Sequence, residues 1–186
     1  MTTKKLISLP ELVANPEAAF KNDQLKSLLN QPPPPPWIKE HPFAKGCKYL
    51  PIDKIELMLD TIFQRWKVEV KEVSQLFNGI RVTIRLHYWN PLLNEWEFHD
   101  GVGAKELQTE KGTGPVKQDF SNVRQGAIDI ALPIAKTEAI KDAADHIGKL
   151  FGRDINRASA VEFKPKYMEI DLDLPNLQKG KANEKI

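Results

Sequence analysis

Residues 99–152 decide the fold. They open His99-Asp-Gly-Val-Gly-Ala-Lys-Glu106 and, after a polar loop, close Ala135-Lys-Thr-Glu-Ala-Ile-Lys-Asp-Ala-Ala-Asp-His-Ile-Gly-Lys-Leu-Phe-Gly152. The first piece reads as a strand end with two glycines, a pattern that marks a bulge or a close backbone approach. The second piece has Ile134, Ile140, Ala143, Ala144, Ile147, Leu150 and Phe151 at helical spacing. A helix is expected from near Pro133, whose missing N–H is tolerated in a first turn, to a stop at Gly152.

Upstream the apolar period is two. Trp66, Val68 and Val70 alternate with Lys67, Glu69 and Lys71; Ile80, Val82, Ile84, Leu86 and Tyr88 alternate with Arg81, Thr83, Arg85 and His87. Asn90-Pro91 begins a turn, after which Trp96 and Phe98 stand as the apolar side against Glu95, Glu97 and His99. Three half-buried strands in quick succession predict an antiparallel meander. Ahead of them, Asp53-Lys-Ile-Glu56 has a capping-box pattern, and Ile52, Ile55, Leu59, Ile62 and Phe63 predict an amphipathic helix over about 53–64. The fold class expected is α+β: an antiparallel β-meander packed by a long helix (a β-β-β-α core), with an N-terminal arm.

Residues 1–36 are expected to form a polar arm ending in a polyproline spacer, Pro32 to Pro36. The domain proper spans 37–174, with 158–174 supplying one more strand or extended segment, and 175–186 form a flexible tail. The 186 residues are enough for one domain with a real core; 41% are hydrophobic and 28% charged, as in ordinary soluble proteins. A net charge of +2 permits an acidic partner without announcing one. Cys47 is the only cysteine, which excludes an intrachain disulfide and a thiolate zinc cluster. With no run near the ~20 apolar residues of a membrane span and no signal-peptide core, a cytoplasmic setting and no membrane partner are expected.

Few residues carry chemistry. Arg81, Arg85 and His87 share one face of a strand, where cations can track phosphates or simply pair with Glu95 and Glu97 across the sheet. Lys105 beside the glycines is placed to meet a phosphate. Lys149, Arg153 and Arg157 are one-sided at a helix end, suiting either phosphate or the helix dipole. His87 and His99 could face each other across a hairpin, but the histidines lack metal-ligand spacing. A metal-dependent nuclease or repair enzyme would have to draw on Asp100, Glu162 and Lys164. No Walker A, G-x-S-x-G or activated cysteine pattern is present.

The ordered set Tyr49-Leu-Pro-Ile-Asp-Lys54, Trp66, strand 80–88, Asp100-Gly-Val-Gly103, and Ala135-Lys-Thr-Glu-Ala-Ile-Lys-Asp142 running to Leu150-Phe-Gly152 resembles the Rad fifty-two superfamily of single-strand DNA annealing proteins, which includes phage recombinases. The resemblance covers about residues 49–157. It implies a homo-oligomeric ring or filament with single-stranded DNA in a basic groove, acting in recombination and repair without ATP, cofactor or covalent chemistry, in a bacterial or phage-infected cell. Lys54, Arg81, Arg85 and Arg124 match basic positions of the family. Midway along the long helix the family in eukaryotes has a Lys-Arg pair where this chain has Asp145 and His146, so Lys141, Lys149 or Arg153 would take over that duty. A single-strand-binding protein is a further possible partner. The alternatives are the nuclease and a non-enzymatic scaffold recruiting partners through the proline run and tail.

Overall fold

The computed structural model describes residues 16–42, 44–110 and 120–157. The segment 158–174, expected to add a strand, and the tail lie outside them. Helix α1 (Pro16–Leu29) leads through the proline run to two short strands, β1 (Lys39–Glu40) and β2 (Lys48–Tyr49), which pair antiparallel. Helix α2 (Ile52–Ile62) follows, then β3 (Trp66–Leu76), β4 (Gly79–Asn90), β5 (Glu95–Glu106) and the long helix α3 (Ala127–Asp145). The sheet order is β3-β4-β5, both pairs antiparallel. The fold is therefore the expected α+β meander packed by a long helix.

Alternation builds the central strand. Ile80, Val82, Ile84, Leu86 and Tyr88 of β4 are buried beneath the helices, while Arg81, Thr83, Arg85, His87 and Trp89 point to the opposite, open face. On the covered side α2 contributes Ile55, Met58, Leu59 and the flanking Phe63 to the core. The Phe63 ring meets Tyr88 at 4.6 Å between centroids and faces Phe151 at 6.3 Å. Each such fully buried ring contributes about 1.5–3 kcal/mol. Leu29 of α1 joins this core, and within the proline run Pro33 is buried while Pro32, Pro34, Pro35 and Pro36 are exposed.

Helix α3 sits on the sheet through a stripe of small residues. Ala127, Ala131, Ala135, Ala139 and Ala143 recur every four residues and are all buried. Opposite them stand Gly101 and Gly103, whose lack of side chains lets the two backbones touch. A Cβ on Gly103 would fall well inside 3.0 Å of Ala135 O and Ala139 N, and one on Gly101 would clash in the same way with Ala139 O. The stripe explains why α3 starts at Ala127 and not near Pro133. Ala127 and Ala131 extend the contact by more than a turn, and Pro133 is accommodated inside the helix on its exposed side.

Several local expectations are corrected. The glycines do not end β5, which continues to Glu106. Trp96 and Phe98 are not on the covered side: they pair with Trp89 and His87 on the open face, at 41% and 51% exposure. Pro51 occupies the N-cap of α2 without a side-chain cap bond, and Asp53 lies within the first turn. Helix α3 ends at Asp145, ahead of a 3-10 turn at Lys149–Phe151 and Gly152 at φ +114°.

The backbone contact gives a sharp stability prediction. Gly103→Ala has no room to relax into a helix backbone, so it should cost at least the upper end of the ~1–3 kcal/mol typical of overpacking. Val102→Ala next to it, half exposed on the open face, should cost less than about 1 kcal/mol. Urea denaturation of the two variants checks the difference; equal losses would remove the close approach from the account.

Candidate nucleic-acid interface

The open face of the sheet is where the structure places Arg81 and Arg85, and it places acids beside them. Arg85 makes a two-pronged bond to Asp100, Nε to Oδ1 at 2.6 Å and Nη2 to Oδ2 at 2.8 Å. The charged pair holds the Asp100 carboxyl below its usual range and pushes the guanidinium further up. Arg81 donates from Nη2 to Glu72 at 2.9 Å and from Nε to Ser74. His87 contacts Glu69 at 3.1 Å, and that bond, with one from Lys71, holds the Glu69 carboxyl low. The arginines thus pair across the sheet, as the plainer reading of the sequence allowed, but with Asp100 and Glu72. Glu95 and Glu97 stand opposite Asn90 and Tyr88, on the covered side.

At the β4–β5 hairpin end of this face the chemistry changes. Trp89 and Trp96 oppose each other, rings 5.7 Å apart and edge-on. The Arg65 guanidinium lies 5.1 Å from the Trp89 ring and 5.5 Å from Trp96, Lys67 lies 5.5 Å from Trp96, and Arg85 stands 4.0 Å from Phe98. Among the described residues, no ion pair engages Arg65 or Lys67. The sequence reading picked out Arg85 but not Arg65, Lys67, Trp89, Trp96 or Phe98 for this site, having assigned Trp96 and Phe98 to the core.

The other expected contacts are scattered. Lys105 and Arg124 are exposed at the opposite end of the sheet: Lys105 pairs with Ile80, and the Arg124 backbone bonds Gln108. Lys54 is paired to Asp53 and lies 5.7 Å from the Trp37 ring. Lys141 bonds Glu138 at 2.6 Å, faces the Tyr49 ring, and lines a cleft of about 380 Å³ beside the free edge of β5. Arg153 donates to the carbonyls of Asp145 and His146, capping the end of α3, and Lys149 lies 3.6 Å from Asp154. Arg153 thus serves the helix end, and Lys149 lies in the turn that follows it.

Asp145 has its own structural setting. It lines the same cleft as Asp142, whose carboxylate accepts the outward N–H of Val102 at 2.9 Å. Burial first, then the neighbouring Asp142, pushes the Asp145 carboxyl up to about 6. His99 is on the covered side, hydrogen-bonded to Tyr88 and 5.7 Å from His146, and burial with His146 beside it lowers its pKa. His87 is on the open face, so the two histidines cannot share a metal. Among the described residues no cluster of three metal-ligating side chains forms. Of the nuclease candidates, Asp100 is held by Arg85, and Glu162 and Lys164 lie outside the described residues. No described helix is long and apolar enough to cross a membrane.

Fold and open face together define an α+β sheet platform, one side packed by a helix and the other, among the described residues, left open. Neither a protein-family model nor a curated protein matches the chain.

The Asp145 carboxyl generates a pH prediction with a definite sign. Its folded-state pKa, about 6, lies above the ordinary aspartate value near 3.8, so the folded chain holds the extra proton between those two values. Its favourable contribution is full below about pH 4 and lost as pH rises through about 6. Asp145→Asn should remove that slope and be the more stable form at pH 7, by as much as about 3 kcal/mol. Denaturation of both proteins from pH 4 to 8 checks it; parallel curves would show that the carboxyl is not strained.

Proposed function

We propose that this chain is an ATP-independent single-stranded DNA-binding and strand-annealing protein that works as a homo-oligomer in recombination and repair. The observation that carries the reading is the open sheet face: β3, β4 and β5 are 11, 12 and 12 residues long, and among the described residues no helix covers the side bearing Lys67, Arg81, Arg85 and His87. A sheet this extended with one charged, uncovered face suits a surface that holds an extended strand. The β-β-β-α order agrees with the layout that the resemblance implies.

Two further observations support assembly. Ile128, Ile130, Leu132 and Ile134 are exposed on the first half of α3, and Val70 and Val73 are half exposed on the covered side of edge strand β3. Apolar surface left bare in this way suits contact with another copy. Assembly would also answer the charge problem, since one protomer at +2 with paired arginines holds phosphate weakly, whereas a repeated face sums its unpaired cations.

The test is annealing of labelled complementary oligonucleotides without nucleotide triphosphate. The protein should accelerate annealing at low salt, with the effect falling steeply as salt rises. No acceleration at any protein concentration would reject the reading.

A further inference from the structure

We propose that Arg65, Lys67, Trp89, Trp96 and Phe98 form a base-stacking site for single-stranded nucleic acid. This deepens the proposed function, on which it rests, by naming the part of the open face that grips the strand and the chemistry it uses.

The rings are displayed rather than stored. Phe98 is half exposed and Trp96 nearly so, on the side of the sheet that no helix among the described residues covers, although the same chain buries Phe63 and Phe151 almost completely. They are also held in place. Trp89 donates its backbone N–H away from β5, to Arg65 O at 2.9 Å, so Trp89 and Trp96 form the kind of cross-strand pair in which side chains approach closest. Arg65 is fixed on its other side by its own N–H to Phe63 O. The hairpin is closed by Asn90, whose Oδ1 accepts the N–H groups of Leu92 and Leu93 and whose Nδ2 donates to Glu97. A platform fixed by backbone bonds loses little freedom on binding.

The cations select the ligand class. Arg65 and Lys67 lie against indole rings and, unlike Arg81 and Arg85, have no acidic partner among the described residues. An aromatic face next to an uncommitted cation matches the repeat of a single strand, in which a flat base alternates with a phosphate. A duplex buries its base faces in its own stack and cannot use the rings. Stacking engages only the faces of the bases, so their pairing edges stay free for a complementary strand.

The experiment compares binding of the full chain to oligothymidylate and to a strand of the same length made of abasic sites, with tryptophan emission and filter binding as readouts. Wild type should prefer the strand with bases, with quenched emission. Trp96→Ala should weaken oligothymidylate binding about tenfold to a hundredfold and leave abasic binding nearly unchanged. Trp96→Phe should keep most of the affinity, and Lys105→Ala, at the far end of the sheet, should not separate the two strands. Circular dichroism confirms that each variant folds, and Arg65→Ala, at an exposed position off the strands, supplies a second variant that should weaken oligothymidylate binding. If wild type binds both strands equally, or binds oligothymidylate while Trp96→Ala and Arg65→Ala change nothing, the stacking site is overturned and the annealing reading stands. If wild type binds no single strand at all, the annealing reading fails and takes this site with it.

Discussion

The fold depends on one contact, the backbone of α3 lying directly on β5. Gly101 and Gly103 offer no side chains, and Ala135, Ala139 and Ala143 offer the smallest ones, so helix and strand meet with almost nothing between them. Such an approach gains dispersion over many atom pairs and tolerates no added methyl group. It also places the helix. Centred over β5 and β4, α3 seals Val82, Ile84 and Leu86, while Val70 and Val73 of β3 stay half exposed on the same side. The cover is complete at one edge of the sheet and partial at the other.

The same contact sets the electrostatics. Strand side chains alternate, so turning Gly101 and Gly103 toward α3 turns Asp100 to the open face, directly opposite Arg85. There it neutralises the arginine that would otherwise be the strongest cation on that surface. Glu72 does the same for Arg81. Uncommitted positive charge therefore lies at the hairpin end, where Arg65 enters from the α2–β3 turn and Lys67 from the first residues of β3. These exposed pairs contribute little to stability, as surface ion pairs generally do. Their effect is to decide where an anion would be welcome.

Strand and helix periods made the meander, the two main helices and most of the core legible in the sequence, because Ile80 to Tyr88 alternate without exception and α2 has an apolar stripe. Two features misled. The first half of helix α3 is apolar nearly all round, with Ile128, Ile130 and Ile134 outside and Ala127, Ala131 and Ala135 inside, so periodicity could not tell which face packs there. In β5 the larger apolar residues pointed to the wrong face, since hydrophobicity alone would bury Trp96 and Phe98. The corrective signal was present: glycines that mark a close backbone approach must face the helix, and counting back by two from Gly101 puts His99 and Glu97 on that face and Phe98 and Trp96 on the other. The Arg85–Asp100 pairing follows from the same count. The position of Arg65 does not, because it depends on the turn at Gln64, φ +59°, which alternation does not describe.

This parity gives the open-face rings two roles that do not compete. With glycine at two of its covered positions, β5 packs there by backbone alone, and its side-chain pairs with β4 along the alternate positions lie on the open side, Trp96 with Trp89, Phe98 with His87 and Val102 with Thr83. Cross-strand pairs of this kind are worth about 0.2–1 kcal/mol each. They need only the edges and adjoining sides of the rings, which leaves the outward faces to solvent, to Arg65 and Lys67, and to any flat ligand that displaces water from them. Filling Gly101 or Gly103 with a side chain would loosen the helix. Filling the Trp96 position with a small polar residue would weaken the hairpin only modestly while erasing the ring surface. The constraint that fixes the core on one side is thus also what places residues 96 and 98 on the other.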